Sequence, residues 1–169
     1  MGASYDAIGK YEEALKCQDE AYDLSVRAGD VYTQGYASMN ASATLFESGH
    51  FDEAKMRIDR ASSIATKTGD VLMLSFLALM EGKIRAEQGD WGSAESYFSK
   101  CIELAEKSGQ KYYNANWRIS IGNFYASHGK RDVALNYLLS AKAICKSNAL
   151  KDLMDYVSQQ ISAIDRGDE

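Results

Sequence analysis

Apolar side chains recur along this chain at intervals of three, four and seven residues, the spacing of one face of an α-helix. The same face recurs forty residues earlier and forty residues later. The pattern therefore predicts a series of helices built on a repeat. The clearest copy consists of Trp91, Ala94, Phe98, Cys101, Ile102 and Ala105.

Glycine separates the predicted helices at regular positions. One series is Gly9, Gly49, Gly89 and Gly129, and a second, twenty residues away, is Gly29, Gly69 and Gly109. Glycine is the usual residue just past a helix end. Aspartate, a favoured N-cap, directly follows the glycine at Asp30, Asp70 and Asp90. Such a joint leaves almost no loop, so we predict antiparallel helix pairs with helices of roughly 17–19 residues.

Small residues occupy matched positions in successive repeats. Small side chains there let neighbouring helices approach closely, and a large one would cost about 1–3 kcal/mol through overpacking. The three columns are Ala14, Ala54, Ala94 and Ala134; Ala21, Ala61, Cys101 and Ala141; and Gly2, Ser42, Gly82 and Gly122.

These columns resemble the tetratricopeptide repeat, with its Gly-x-aromatic-x-x-Ala turn followed by a second small residue. The segment GDWGSAESYFSKCIEL, from Gly89 to Leu104, is a close match. The usual period is about 34 residues, whereas this chain has a period of forty and no proline. The longer variant is similar to repeats of bacterial signalling proteins and peptide-regulated transcription factors. The resemblance implies an all-α fold, an α-α superhelix (solenoid) of antiparallel helix pairs.

We interpret the chain as a single array. It comprises a partial repeat in 1–29, repeats in 30–69, 70–109 and 110–148, and a C-terminal capping helix in 149–166. The partial first repeat leads us to expect a fragment of a larger protein. The capping helix has one apolar stripe among polar residues, a pattern that equally fits the first helix of another repeat. The stripe consists of Leu150, Leu153, Met154, Val157, Ile161 and Ile164.

The resemblance implies a protein or peptide ligand in a concave groove lined by the first helix of each pair. Asparagine and lysine side chains there would hydrogen-bond the backbone of an extended peptide. Phe76 and Met80 would bury an apolar side chain of the ligand, or else belong to the core between helices, because VLMLSFLALM is apolar nearly all round. Helical spacing predicts a lining of Tyr36, Asn40, Glu47, Phe76, Met80, Lys83, Glu87, Asn116, Ser120 and Asn123.

Some tetratricopeptide domains grip a C-terminal carboxylate with paired basic and amide side chains. Here Met80 and Ser120 occupy places where that clamp would require polar or basic groups. We therefore expect a neutral or mixed peptide or helix as the ligand.

Composition argues against other functions. The net charge is −5 although residues 111–150 carry +5, so a dedicated nucleic-acid partner is not expected. The longest apolar run has ten residues, too few for a bilayer, which needs about 20. Three scattered cysteines and no signal peptide favour a reducing, cytoplasmic location.

The sequence offers little catalytic chemistry. His50 and His128 lie beside turn glycines, without the partners of a catalytic triad. Motifs for nucleotide or zinc binding are missing from the sequence. We expect no enzyme activity, no cofactor and no metal. Two alternatives to a binding scaffold stay open: a regulatory region of a nucleotide cyclase, histidine kinase or transcription regulator, and a self-association module.

Overall fold

The computed structural model describes residues 10–166, and all regular structure in that range is α-helical. The half-helix predicted at Gly2 to Ile8, with Gly9, lies outside the described residues. The described helices are 16 to 18 residues long, close to the predicted length. They are α1 (Tyr11–Ala28), α2 (Val31–Glu47), α3 (Phe51–Thr68), α4 (Val71–Glu87), α5 (Trp91–Lys107), α6 (Lys111–Ser127), α7 (Arg131–Ser147) and α8 (Lys151–Arg166).

The joints between helices follow the predicted glycine–aspartate chemistry. Gly29 and Gly69 have φ of 69° and 71°, in the left-handed region that glycine adopts at little cost. The Asp30 carboxylate accepts a hydrogen bond from the backbone N–H of Thr33 at 3.1 Å, and Asp70 caps α4 through Met73 at 2.9 Å. One helix therefore ends and the next begins within two residues, which confirms the predicted helix pairs.

The small-residue columns are contact points between helices, as predicted. Ala14, Ala54, Ala94 and Ala134 are all fully buried. Gly122 shows how close the approach is, because a Cβ atom there would lie 2.8 Å from Leu138 Cγ and 3.1 Å from the backbone oxygen of Ala134. Of the second column, Ala61, Cys101 and Ala141 are fully buried, whereas Ala21 is only half-buried.

The contacts divide the chain into two compact units, Met1–Tyr97 and Phe98–Glu169, with the boundary inside α5. In the first unit α1, α2, α3 and α4 pack consecutively, and α2 also packs against α4. The apolar run at the start of α4 contributes Met73, Leu77, Leu79 and Met80 to the buried core. A helix that is apolar nearly all round is buried in this way.

In the second unit α6 and α7 form a pair, and α8 packs on both. The apolar stripe of α8 joins a core that includes Ile119, Leu138 and Cys145. Opposite this stripe Lys151, Asp155 and Gln159 are exposed, so α8 buries one face and leaves the other in solvent. Within residues 10–166, none of the helices is long and apolar enough to cross a membrane.

Candidate functional site

The predicted groove residues of the first unit lie on α2 and α4 and differ widely in exposure. The side chains of Tyr36, Asn40, Glu47 and Glu87 are exposed, while Phe76 and Lys83 are half-buried. Met80 is only 2% exposed. Its side chain therefore belongs to the core, the alternative that the apolar run of α4 had left open.

Two of these side chains are held by neighbours within the first unit. The hydroxyl of Tyr36 donates to Asp70 Oδ2 at 3.0 Å, which connects α2 to the start of α4. The ammonium of Lys83 lies 5.7 Å from the centroid of the Phe46 ring, a cation–π contact. Phe46 is on α2, so this contact also joins α2 and α4.

A cleft of about 530 Å³ opens between α1 and α2, here called the α1–α2 cleft. Its lining includes the exposed side chains of Leu24, Tyr32 and Tyr36, which are 59%, 57% and 40% exposed. A buried hydrogen bond, from Gln18 Nε2 to Thr44 Oγ1 at 2.8 Å, connects the two helices nearby. The lining consists of Cys17, Gln18, Glu20, Ala21, Leu24, Tyr32, Thr33, Tyr36, Ala37 and Asn40.

In the second unit a cleft of about 490 Å³ lies between α6 and α8, here called the α6–α8 cleft. Of the predicted groove residues on α6, it contains Asn123, whose Nδ2 donates to the hydroxyl of Tyr156 at 3.3 Å. Asn116 and Ser120 are half-buried and are not part of its lining. The lining is Asn123, Ala126, Gly129, Arg131, Gln160, Ala163 and Ile164.

Sequence reasoning missed the contribution of α8 to this cleft. Gln160 lies one period after Ser120 and two after Met80, so the repeat register was the signal that could have identified it. Arg131 lies at the start of α7, and its guanidinium is 3.9 Å from Asp165, a loose surface pair. The cleft therefore combines two amides with a cation at its edge.

Sequence reasoning also missed a cluster around Arg118. Its side chain is 11% exposed and pairs with Glu106 at 2.7 Å. It also donates to Ser140 at 3.1 Å and to the side chain of Asn114, so it ties α6 to α5 and α7. A cleft of about 420 Å³ lies beside it. One sequence feature could have identified this cluster. Arg118 is charged, whereas α2 and α4 carry Ser38 and Ala78 at the same repeat position.

The ionisable groups at the joints have structural partners. Hydrogen bonds from the side chain and backbone of Thr33 lower the pKa of Asp30, and those from Ser93 lower the pKa of Asp90. The Nδ1 atom of His50 lies 3.0 Å from Ser48 Oγ, within its own turn.

Burial raises the pKa of the Cys145 thiol. Among residues 10–166, the structure has no group of three or more His, Cys, Asp or Glu side chains arranged to hold a metal.

No known protein-family model matches this chain, and no curated protein matches it.

Proposed function

We propose that this chain is a non-catalytic binding module of the tetratricopeptide type, which holds a protein or peptide on the face of its first helices. The repeated joints and the buried alanine columns support the tetratricopeptide assignment. Solenoids of stacked helical repeats present an extended concave surface to their ligands. Of the residues at the predicted groove positions, Asn40 is exposed and Asn123 is half-buried, so a ligand could reach both side chains.

The α6–α8 cleft is the observation that carries the proposal. The amide groups of Asn123 and Gln160 both line it, and an amide donates and accepts hydrogen bonds as a peptide backbone does. The small residues Ala126 and Ala163 allow a peptide backbone to come close, and Ile164 provides an apolar wall. This combination favours an extended segment without a strict charge requirement.

The ligand expected from these groups is neutral or mixed in charge. Arg131 is the basic residue of the α6–α8 cleft, and its guanidinium faces Asp165. A surface ion pair at 3.9 Å is worth little and can exchange partners. An acidic side chain of the ligand would therefore gain affinity at this edge without being required.

The proposal is tested by selecting binders from a display library of random peptides on the 169-residue chain. The selected peptides are then titrated against Asn123→Ala and Gln160→Ala. Each variant loses about one hydrogen bond, so we expect roughly 3- to 10-fold weaker binding. Gln159→Ala is the matched control, because Gln159 is exposed on α8 outside the cleft. Peptides that bind the Asn123→Ala/Gln160→Ala double variant as tightly as the wild type would contradict the proposal.

A further inference from the structure

The cleft of about 420 Å³ beside Arg118, here called the Arg118 cleft, belongs to the second unit. Its lining comes from α5, α6 and α7, and every lining residue is part of a helix that the structure describes. The side chains combine two carboxylates, one guanidinium, an aromatic ring and several neutral polar groups. They are Ser99, Ile102, Glu103, Glu106, Arg118, Asn136, Tyr137 and Ser140.

The repeat provides a counterpart of this cleft in the first unit, between α1 and α3, two periods earlier in the sequence. There two arginines of α3 contact α1. The guanidinium of Arg57 pairs with the Asp19 carboxylate at 2.8 Å. The guanidinium of Arg60 lies 4.6 Å from the centroid of the Tyr22 ring, a cation–π contact. The counterpart surface therefore holds two guanidinium groups of the chain itself.

Helix α7 carries no arginine at the two corresponding positions. Tyr137 stands two periods after Arg57. Ser140 stands two periods after Arg60. The Tyr137 ring stacks on Tyr125, with ring centroids 5.8 Å apart and an interplanar angle of 13°. Helix α7 therefore supplies neither of the cations that α3 supplies to the counterpart.

Arg118 supplies one cation to the cleft, and it is already paired. Its side chain is 11% exposed, and its guanidinium lies 2.7 Å from the Glu106 carboxylate. Glu103, one turn before Glu106, is exposed and has no ion pair or side-chain hydrogen bond within residues 10–166. Lys100 and Lys107, one turn before and after Glu103, are exposed and pair with neither carboxylate. The lining of the cleft therefore has one negative charge more than it has positive charges.

We propose that the Arg118 cleft binds the guanidinium group of an arginine side chain that a partner protein presents. The guanidinium donates hydrogen bonds to the Glu103 carboxylate and lies against the Tyr137 ring. This arrangement repeats the contacts that Arg57 and Arg60 make in the counterpart. Arginine suits the cleft better than lysine, because its planar group donates to a carboxylate through two N–H groups and also stacks on aromatic rings.

An acidic partner group is disfavoured by the same geometry. A carboxylate or phosphate could reach Arg118 only by displacing Glu106, and it would then lie close to Glu103 as well. Like charges at such short distances repel each other. Asn136 and Ser99 add side-chain oxygens that accept hydrogen bonds from a guanidinium. The cleft lies outside the α6–α8 cleft, so the proposal does not depend on the peptide site there.

The probe is the blocked pentapeptide acetyl-Gly-Ser-Arg-Ser-Gly-amide, titrated into the ¹⁵N-labelled 169-residue chain and followed by NMR. We expect saturable shifts of the side-chain amide signal of Asn136 and the Nε–H signal of Arg118. A second peptide with citrulline in place of arginine keeps the shape and removes the charge. It should bind at least about threefold more weakly, because the ion pair with Glu103 is lost.

Two variants locate the site on the protein. Glu103→Gln should weaken binding of the arginine peptide roughly 3- to 5-fold. Asp155→Asn, which removes an exposed carboxylate of α8, is its matched control. Ser140→Arg places an arginine where α3 has Arg60, so it should weaken binding at least about fivefold. Ser147→Arg, at an exposed serine of α7 outside the cleft, should leave binding within about twofold of the wild type.

Three results would overturn the proposal: no saturable binding of the arginine peptide, equal binding of the citrulline peptide, and unchanged affinity in Glu103→Gln. A pentapeptide with glutamate in place of arginine supplies a further check. If it binds more tightly than the arginine peptide, the cleft is an anion site and the proposal is wrong. Circular dichroism of Glu103→Gln and Ser140→Arg verifies that these substitutions at exposed positions leave the fold intact.

Discussion

Helices α1 and α7 have the same position in the repeat but bury different amounts of surface. In α7 the residues Leu138 and Ala141 are fully buried, with α6 and α8 packed on the helix. In α1 the matching positions are Gln18, which is 5% exposed, and Ala21, which is half-buried. The apolar residue Leu24 of α1 is 59% exposed. Of these three residues of α1 only Gln18 is buried, so equal repeat positions differ in burial between the two helices.

Helix α1 also carries a polar residue at a position where the other repeats carry an apolar one. At the position of Leu138, the second and third repeats carry Ile58 and Phe98, both buried, whereas α1 carries Gln18. The Nε2 group of Gln18 donates a hydrogen bond to Thr44 Oγ1. A buried N–H group that donates a hydrogen bond avoids most of its own desolvation cost. Helix α1 therefore uses a polar contact with α2 where the other repeats use apolar packing.

The largest expected effect is a difference in stability loss between a leucine-to-alanine change in α7 and one in α1. Leu138→Ala should destabilise the protein by about 2–5 kcal/mol, because it leaves a cavity in a closed core. Leu24→Ala should change the free energy of unfolding by less than about 0.5 kcal/mol, since the side chain is largely in solvent. Urea denaturation followed by circular dichroism measures both. Similar losses of unfolding free energy in the two variants would contradict the difference in burial between α1 and α7.

A smaller effect is expected at the ends of the same helices. Gly29 follows α1 with φ of 69°, whereas the matching residue after α7 is Ala149, with φ of 55°. A left-handed conformation costs about 1–2 kcal/mol for a residue with a Cβ atom, so Ala149→Gly should stabilise the protein by roughly 0.5–1 kcal/mol.

The reverse change at Gly29 completes this test. A Cβ atom on Gly29 would meet no neighbour within 4 Å, so Gly29→Ala should destabilise only through its backbone conformation. Its cost should therefore be close in size to the gain from Ala149→Gly. Thermal unfolding of both variants gives the two values, and a loss of stability in Ala149→Gly would contradict the prediction.

The smallest expected effect concerns the residue that follows Gly29 and the one that follows Ala149. Asp30 caps α2 with a lowered pKa, whereas Leu150 has no acceptor to offer at the matching position. Because its folded-state pKa is lowered, the Asp30 contribution is fully present above its ordinary pKa and is lost as the pH falls through the lowered value. Asp30→Ala should therefore reduce the thermal midpoint slightly at neutral pH and less in acid.

An exposed aspartate inside a helix is the control for this last test. Asp59→Ala on α3 should leave the midpoint nearly unchanged across the same pH range, because the residue is exposed and caps no helix. A stability difference between Asp30→Ala and the wild type that grows in acid would show that the N-cap assignment is wrong.

The positions of the helices were predictable from sequence because local chemistry sets them. Glycine adopts the left-handed conformation that ends a helix, and aspartate pairs with the first free N–H groups of the next. Both effects act within a few residues, so Gly69 and Asp70 were enough to place a joint. The forty-residue period then gave the all-α fold, the pairing of helices and the buried alanine columns.

The candidate sites were only partly predictable. Asn40 and Met80 share a column, yet the structure exposes Asn40 and buries Met80 to 2% exposure. Asn123 could be named from its register, whereas its neighbours Arg131 and Ile164 come from the start of α7 and the end of α8. The Arg118 cluster likewise joins three helices. Such groupings depend on how helices cross, which the pattern along one helix does not contain.

The sequence by itself determined that this protein is a series of helix pairs, where their glycine joints lie, and that the alanines of the Ala14 column are buried. Those properties follow from hydrogen bonds and side-chain volumes within one turn or one period. Only the tertiary structure decided that Ala21 and Leu24 face an open cleft while Ala141 lies in the core. Burial depends on which other helices within residues 10–166 pack on the same face, and the position of a residue within one repeat does not contain that information.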